Sequence, residues 1–245
     1  MPKAPDLRWL AVGLACSVLT LATLACGWMQ PDTVPYTGRL RPKLLYTEQE
    51  MAVFGAESYA EVLKKYEVVR GTPGAARVQR VGKRIADATG KKWDWEFHLL
   101  KADDTVNAFC LPGGKIAVFT GLLEYAKTDD DMAVVIGHET AHAVLQHSNE
   151  RMSQPLAKKL VGMPTSIAVD VWGAIAPGTR KVVMSGLGVG YVVGEVMPYS
   201  QKDEIEADEV GLIFMKRAGY RLEVAPAFWK RMEAEDKGRI TDTLS

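Results

Sequence analysis

The feature that most restricts the fold is a mostly apolar segment, MAVVIGHETAHAVLQH, which begins at Met132. Three aspartates, at positions 129–131, come directly before it, and negative charge at that point favours the start of a helix. A helix this apolar is expected to be buried, so the rest of the chain must supply a core around it. The same helix carries His138 and His142. Residues four apart lie about 40° apart around a helix, so both imidazoles project from one face.

This pair of histidines has the spacing of a metal site. Two imidazoles one helical turn apart can hold one zinc ion at about 2.0–2.1 Å per nitrogen. Glu139 lies next to that face, where its carboxylate can take a proton from a water that the metal activates for attack on a peptide carbonyl. The alternative is a buried helix whose two histidines only form hydrogen bonds in the core. The pattern predicts a zinc-dependent hydrolase with Glu139 as the general base.

A catalytic zinc site needs a third protein ligand and keeps one position open. The metzincin pattern is excluded, because Leu145 and Ser148 stand where that pattern has a glycine and a histidine. His147 lies nine residues after His138, which is about 180° around a continuous helix, so we expect it to be a polar or supporting residue at the helix end. The third ligand must therefore come from another part of the chain.

An acidic run further along the chain, Asp203-Glu204-Ile205-Glu206-Ala207-Asp208, is the candidate source of that ligand. On a helix, Glu204 and Asp208 share a face, whereas Glu206 points roughly the opposite way. Glu204 is a candidate metal ligand, and Asp208 is a candidate to orient His138 or His142 or to hold a nearby loop. Acidic runs are usually solvated helix faces, so the spacing alone leaves that alternative open.

The composition is that of a folded globular protein, with 47% hydrophobic and 24% charged residues. Thirty basic residues balance thirty acidic ones, so there is no positive excess to neutralise a phosphate backbone, and we expect no nucleic-acid partner. The three cysteines are too few for a disulfide framework. The core must therefore hold the fold together without cross-links.

The first 25 residues have the pattern of a signal peptide. Lys3 and Arg8 precede seventeen uncharged residues, 9–25, a run shorter than the roughly 20 that a spanning helix needs. Residues Thr23-Leu24-Ala25-Cys26-Gly27 resemble a bacterial lipobox, with Thr23 where leucine is usual. We predict that residues 1–25 are removed and that Cys26 carries lipid. The alternative is an uncleaved N-terminal anchor.

A tether and one domain make up the rest of the chain. Residues 26–46 hold three prolines among polar residues and show no helical period, so we predict a lipidated tether that leaves the membrane. The domain is predicted to occupy residues 47–245. Its first helix should begin after Thr47, which forms a capping-box pattern with Glu50.

Local patterns predict the elements that follow. A second helix should run from Pro73 to a stop at Gly90, and strands are expected at 95–100 and 115–119. Residues 182–194 form an uncharged stretch of thirteen residues, too short to span a bilayer. We expect a buried helix there, with a membrane-apposed segment or a mobile lid as alternatives.

Several short motifs, taken together in their order, resemble the HtpX-like and CaaX-prenyl-protease-like zinc metallopeptidases, in particular the bacterial periplasmic lipoprotein branch around LoiP and BepA. The motifs are Val34-Pro35-Tyr36-Thr37-Gly38-Arg39, Asn107-Ala108-Phe109, Pro112-Gly113-Gly114, Thr120-Gly121-Leu122, the motif at His138, and Tyr199-Ser200 leading into Glu204–Asp208. The resemblance implies an α+β, mostly helical, zincin-like metallopeptidase domain with a small β-sheet.

It also implies roles for individual residues. One zinc ion per chain would be bound by His138, His142 and Glu204, with Glu139 as the general base and Asp208 supporting the site without binding metal. The stretch from Asn107 to Thr120 would be an edge strand to which a substrate peptide adds as a further strand. The implied substrate-binding residues share that stretch: Asn107, Ala108, Phe109, Gly113 and Gly114. For Asn107 and Gly113 the alternative is ordinary turn chemistry.

The implied activity is zinc-dependent endopeptidase cleavage of misfolded or unassembled envelope proteins. The chain would be held by its lipid at the periplasmic face of a membrane. Gly27 is not the aspartate that retains lipoproteins at the inner membrane, which favours the outer membrane and makes outer-membrane assembly machinery a candidate partner. Two alternatives remain open: a non-catalytic chaperone or assembly factor that uses the same groove, and a zinc hydrolase that acts on a non-peptide substrate.

Overall fold

The structure, a computed structural model, describes residues 31–161 and 199–243. These residues form six strands and six α-helices. The strands are β1 (Asp32–Thr33), β2 (Leu40–Arg41), β3 (Val68–Val69), β4 (Glu96–Leu100), β5 (Ala108–Leu111) and β6 (Lys115–Phe119). The helices are α1 (Glu48–Lys65), α2 (Pro73–Thr89), α3 (Asp129–Val144), α4 (His147–Val161), α5 (Gln201–Arg217) and α6 (Ala225–Thr243). The mixed, mostly helical class predicted from the sequence is confirmed.

Local capping chemistry sets the ends of the first two helices, as predicted. The Thr47 hydroxyl accepts from the backbone of Glu50, and the Glu50 carboxylate accepts from the backbone of Thr47. Helix α2 begins with Pro73 and stops at Gly90, which has φ of 71° in the left-handed region. Both predictions are confirmed because these signals act over a few residues and do not depend on the rest of the fold.

The main sheet has the strand order β3-β4-β6-β5. Strands β4 and β6 run parallel, with Phe97 opposite Ile116, and both lie where the sequence predicts strands. Strand β5 joins β6 by a tight turn and pairs with it antiparallel, with Ala108 opposite Val118. Strand β5 is therefore an edge strand of this sheet, as the resemblance implies.

Helices cover both faces of the sheet. On one face, Ile116 and Val118 of β6 join a buried cluster with α2, α3 and α5. On the other face, Ala117 and Phe119 pack with Tyr59 of α1. Successive strand residues point to opposite faces, so a strand buried on both sides is apolar throughout, as Ile116 to Phe119 is. This arrangement buries α3 and the histidine pair that it carries.

Residues 31–46 were expected to belong to a tether, but they fold against the domain. Strands β1 and β2 pair as a hairpin, and Val34 between them is 1% exposed. Arg41 is buried and donates from Nη1 to the carbonyl oxygen of Leu145, while Arg39 pairs with Glu150 at 2.7 Å. The folded unit therefore includes residues upstream of the predicted boundary at 47, because these arginines find buried partners that the local sequence does not reveal.

Three predictions fall on residues that the structure leaves undescribed: the signal peptide, the lipidated Cys26 and the helix at 182–194. Among the helices of residues 31–161 and 199–243, none is both long enough and apolar enough to cross a membrane.

Candidate metal centre

Helix α3 presents the two histidines of the motif to one side. Thr128 caps the helix through a capping box with Asp131, which fixes where its turns begin. His138 and His142 follow one turn apart, and their Nε2 atoms lie 3.1 Å from each other. His138 is 9% exposed and His142 is 3% exposed, so the protein shields both residues from water on most sides. The expected pairing of the two imidazoles on one face is found.

Helix α5 brings a carboxylate to the same point. Oε2 of Glu204 lies 3.3 Å from Nε2 of His138 and 3.7 Å from Nε2 of His142. Four ligands at about 2.0–2.1 Å around a tetrahedral zinc ion are about 3.3 Å from one another. The three measured separations are close to that value, and two imidazole nitrogens with one carboxylate oxygen form a donor set that zinc accepts. The residues therefore fit a zinc ion, and the Glu204 side chain, 43% exposed, leaves the centre open on one side.

Two glycines allow α5 to lie this close to α3. A Cβ atom on Gly211 would lie 2.9 Å from the backbone nitrogen of His138, and one on Gly137 would lie 3.1 Å from the carbonyl oxygen of Gly211. Contacts this short are rare for real Cβ atoms, so the two backbones meet where neither residue has a side chain. No sequence motif predicts a role for either glycine.

Asp208 contacts the first histidine. Its Oδ1 lies 2.8 Å from Nδ1 of His138, the ring nitrogen that faces away from Glu204. A carboxylate on the second nitrogen of a metal-binding imidazole fixes both its ring orientation and its tautomer. The structure thus pairs Asp208 with His138. The sequence alone does not determine which of the two histidines Asp208 contacts.

His147 lies beside the second histidine, contrary to the expectation from the sequence. The expectation of 180° around a continuous helix is wrong, because α3 ends at Val144 and Gln146 has φ of 60° before α4 begins. Nδ1 of His147 therefore comes within 2.9 Å of Nδ1 of His142. No glycine or proline marks this break, so the local sequence carries no signal for it. His147 does have the supporting position predicted for it, for a different geometric reason.

Tyr199 is a second neighbour that the sequence analysis did not assign. Its ring stacks on the His142 ring, with centroids 4.1 Å apart and planes 18° apart. Its hydroxyl lies 2.7 Å from Oγ of Ser148. The stacked ring limits rotation of the His142 imidazole, so both edges and one face of that ring are in contact with protein.

The charges of the three candidate ligands are unequal. Burial opposes a charge on His138, but hydrogen bonds with Asp208 and Glu204 outweigh it and raise its pKa to about 10. Burial lowers the pKa of His142 to about 4. Hydrogen bonds from both histidines hold the pKa of Glu204 well below its usual range. At neutral pH, one protonated imidazole, one neutral imidazole and one carboxylate therefore face each other.

Glu139 lies next to the same centre on α3. Burial raises the pKa of its carboxyl group to about 7, although the nearby charge on His138 acts in the opposite direction. A general base is most effective when its pKa is near the pH at which it works. The electrostatic setting of Glu139 therefore suits the role expected from the motif.

The edge strand β5 packs against α3, and among the strands that the structure describes it pairs with β6 on one side only. The carbonyl oxygen of Asn107 accepts from the backbone nitrogen of Phe119, which makes these two residues a hydrogen-bonded pair. Hydrogen-bonded and non-bonded pairs alternate along an antiparallel ladder, so the main-chain groups of Ala108 and Cys110 point away from β6. In agreement, the Ala108 N–H donates to Oδ1 of Asn107 at 2.8 Å.

The other three residues of the predicted substrate strand have structural contacts. Phe109 packs against Tyr59 and Phe119 on the α1 side of the sheet. Gly113 and Gly114 form the turn with φ of 83° and 85°. A Cβ on Gly114 would meet the Trp95 ring at 2.6 Å. Turn geometry and packing account for both glycines, and a direct contact with substrate stays a prediction.

An apolar cavity of about 190 Å³ adjoins His138 on the side of Asp208. It lies between α3, α5 and the start of α6, and the Trp229 ring closes one wall with its centroid 5.4 Å from that of His138. The apolar side chains that line it are those of Val134, Leu212, Met215, Leu222, Ala225, Pro226 and Trp229.

Comparison with known proteins gives these contacts a family context. The model of "Peptidase family M48" matches residues 74–243. A protein named "Mitochondrial metalloendopeptidase OMA1" from Schizosaccharomyces pombe is 34% identical over 84% of this chain and 58% of its own length. One named "Metalloendopeptidase OMA1, mitochondrial" from Danio rerio is 30% identical over 94% of this chain and 49% of its own length.

Bacterial proteins match as well. A "Putative beta-barrel assembly-enhancing protease" from Vibrio cholerae is 26% identical over 84% of this chain and 42% of its own length. The chain thus spans about half the length of the curated relatives that it matches. The family match covers more than half of the chain and includes the histidine motif, the acidic run and the two helices that carry them. This chain therefore belongs to peptidase family M48, and the predicted class of domain, a mostly helical α+β zinc metallopeptidase, is confirmed at the level of the family.

Proposed function

We propose that this chain is a zinc-dependent endopeptidase whose metal is held by His138, His142 and Glu204. The observation that carries the proposal is the mutual approach of the three donor atoms, at 3.1, 3.3 and 3.7 Å, from two different helices. Exposed acidic groups meet histidines by chance on many surfaces. Here the two imidazoles are buried and their outer nitrogens are engaged by other side chains, which is the expected setting of a built metal site.

The chain's own residues supply the acid–base chemistry. Bound zinc would act as a Lewis acid that polarises the scissile carbonyl group and makes water more acidic. Glu139 accepts the proton of the attacking water and later delivers it to the amine that leaves. Its pKa near neutrality suits both steps, because the same group must take up and release a proton in each cycle.

The substrate backbone adds to the edge of the sheet. The outward N–H and C=O groups of Ala108 and Cys110 would pair with an extended peptide, and Asn107 would release the Ala108 N–H on binding. This recognition uses main chain, so it accepts many sequences. The apolar cavity beside His138 offers space for one large apolar side chain of the substrate. An extended peptide is the substrate class that such an edge favours over a non-peptide ester or amide.

The cellular setting rests on the N-terminal sequence and on the bacterial relatives. We propose that residues 1–25 are a signal peptide, that Cys26 is lipidated, and that a short tether holds the domain at the periplasmic face of the outer membrane. The relatives named for β-barrel assembly support an envelope role in which misfolded or unassembled proteins are cleaved. Outer-membrane assembly machinery is the proposed partner, and the bacterial lipoprotein branch of the family is the proposed subgroup.

A chaperone that holds clients in the same groove is the second candidate function. It would use the edge strand but would need no general base. The presence of Glu139, with its raised pKa, beside the metal ligands favours catalysis.

The test compares zinc content and casein cleavage for the full-length, detergent-solubilised chain and two variants. We expect Glu139→Gln to retain one zinc ion and lose cleavage, and Glu204→Ala to lose both. Glu209→Ala, a change at an exposed position of the same helix, is the control and should keep both. If wild type and Glu139→Gln bind zinc and cleave equally, the proposed role of Glu139 is wrong. If wild type binds zinc without cleaving, the holding function is favoured.

A further inference from the structure

The two candidate zinc-binding histidines differ in what holds their second nitrogen. Nδ1 of His138 contacts a carboxylate directly, that of Asp208, at 2.8 Å. Nδ1 of His142 instead contacts another imidazole, that of His147, at 2.9 Å. On its far side, Nε2 of His147 lies 3.1 Å from Oε2 of Glu206. The carboxylate of Glu206 therefore contacts His142 only through an intervening side chain, that of His147.

The direction of the hydrogen bonds follows from the role of His142. A neutral imidazole that binds metal through Nε2 carries its proton on Nδ1. That N–H can only donate to His147, so Nδ1 of His147 must be the acceptor and its proton must be on Nε2. The Nε2–H of His147 then donates to the carboxylate of Glu206. Each ring nitrogen of His142 and His147 thus has one role, and this series of hydrogen bonds ends at the negative charge of Glu206.

Residues of the N-terminal hairpin hold this charge in place. Arg39 donates from Nε to Oε2 of Glu206 at 2.9 Å, and the Thr37 hydroxyl donates to Oε1. The same guanidinium donates to both oxygens of Glu150 at 2.8 and 2.7 Å. His147 is fully buried, and the Glu206 side chain is 6% exposed. A buried carboxylate with all these donors has little freedom to move.

We propose that Glu206 is a positioning residue that fixes the tautomer and orientation of His142 through His147, and that Arg39 and Thr37 of the N-terminal hairpin hold Glu206 for this task. The inference rests on the proposed function, since it requires His142 to bind zinc. It gives residues outside the family match, 37 and 39, a part in building the metal centre.

A second metal ion is the competing explanation for this cluster. Three residues, His147, Asp203 and Glu206, each have one possible ligand atom, and these atoms lie close enough to one another to share a cation. The Arg39 guanidinium already supplies the positive charge, with Nη2 at 2.8 Å from Glu206 and 3.6 Å from Asp203. The geometry therefore favours one zinc ion, held at the first centre.

The first test measures zinc affinity of the full chain by competition with a chelator. We expect Glu206→Gln and His147→Leu each to weaken zinc binding by about 10–100-fold. The double variant should bind zinc no more weakly than the worse single variant, because both changes interrupt one connection. His147→Asn, whose Oδ1 can still accept from His142, should lose less affinity than His147→Leu.

The control is Glu96→Gln on β4, which removes a carboxylate that pairs with the buried Lys115 ammonium group at 2.7 Å. It should bind zinc as wild type does. Equal weakening by Glu96→Gln would mean that lost stability, and not positioning, explains the result, which would overturn the inference. Wild-type affinity in Glu206→Gln, or two zinc ions per wild-type chain, would also overturn it.

A second measurement needs no variant to fold. The chain has four histidines, so selective ¹⁵N labelling and long-range NMR correlation can assign the tautomer of each ring in the zinc-loaded protein. We expect the proton on Nδ1 of His142 and on Nε2 of His147. The opposite tautomer of His147 would overturn the inference while leaving the zinc endopeptidase proposal intact. A wild-type chain that binds no zinc would overturn both.

Discussion

Gly137 and Gly211 meet backbone to backbone, and this contact sets the distance between the two helices that form the metal centre. A Cβ atom on Gly211 would lie 2.9 Å from the His138 nitrogen. Because Gly211 has no Cβ atom, α5 approaches α3 closely enough for Oε2 of Glu204 to lie 3.3 Å from Nε2 of His138. The carboxylate of Glu204 is thus brought into place by a residue seven positions further along α5.

A methyl group at this contact should therefore weaken the metal site. Alanine at an unhindered helical position is more stable than glycine by about 1 kcal/mol. We expect Gly211→Ala to be destabilising instead, by about 1–3 kcal/mol, because the backbones must separate. Zinc affinity should fall with it, since Glu204 moves with α5. Chelator competition and urea unfolding of the metal-free protein measure the two effects. Wild-type zinc affinity in Gly211→Ala would contradict the account.

Zinc binding should release a proton. At pH 8 the metal-free protein holds a proton on His138, whose pKa is raised to about 10, whereas His142, with a pKa lowered to about 4, is already neutral. A zinc ligand must give up its proton, so the zinc affinity should rise with pH, about tenfold per unit, as long as His138 is protonated. Calorimetry in two buffers of different ionisation enthalpy should report at least one proton released per zinc ion, that of His138.

Asp208→Asn provides the matched change for that experiment. An amide does not stabilise the protonated ring as the carboxylate does, so the pKa of His138 should fall and the number of protons released at pH 8 should decrease. The same number of protons for both proteins would mean that Asp208 does not control the charge of His138.

The outward edge of β5 can be tested without disturbing its pairing with β6. Ala108→Pro removes a main-chain donor that points away from β6, and proline is tolerated on edge strands. We expect casein cleavage to fall at least tenfold, while hydrolysis of a small chromogenic substrate and the zinc content stay near wild type. Unchanged casein cleavage would show that substrates bind elsewhere.

The proposed lipid anchor predicts a specific loss. In a Gram-negative host, Cys26→Ala should abolish incorporation of labelled palmitate and block removal of residues 1–25. Cys16→Ala, in the middle of the apolar run, should change neither. A wild-type chain that carries no palmitate label and keeps residues 1–25 would favour the uncleaved anchor.

The features that could be predicted from the sequence are those set by neighbouring residues. The cap at Thr47, the start of α3 at the three aspartates and the stop at Gly90 depend on residues within about one turn. The pairing of His138 with His142 depends only on the helical repeat. The start of α1, both ends of α2, the start of α3 and the first half of the metal site could therefore be predicted before any packing was known.

The features that could not be predicted depend on residues distant in the chain. Arg39 is one charge among polar residues until the fold brings Glu150 and Glu206 to it. His147 faces His142 because of a break at Gln146 that no glycine or proline announces. From the sequence, Glu206 is only the residue that points away from Glu204. In the fold it points toward His147, Arg39 and Thr37. Tertiary contacts decide each of these positions.

The identity of the metal ligands is the central claim, and zinc K-edge X-ray absorption of the loaded protein tests it most directly. The account predicts two imidazole nitrogens and one carboxylate oxygen, with a water-derived oxygen in the open position, all at about 2.0–2.1 Å. Three imidazoles would instead make His147 a ligand and contradict both Glu204 as the third ligand and the positioning role of Glu206. A sulfur neighbour at about 2.3 Å would rule out the proposed centre.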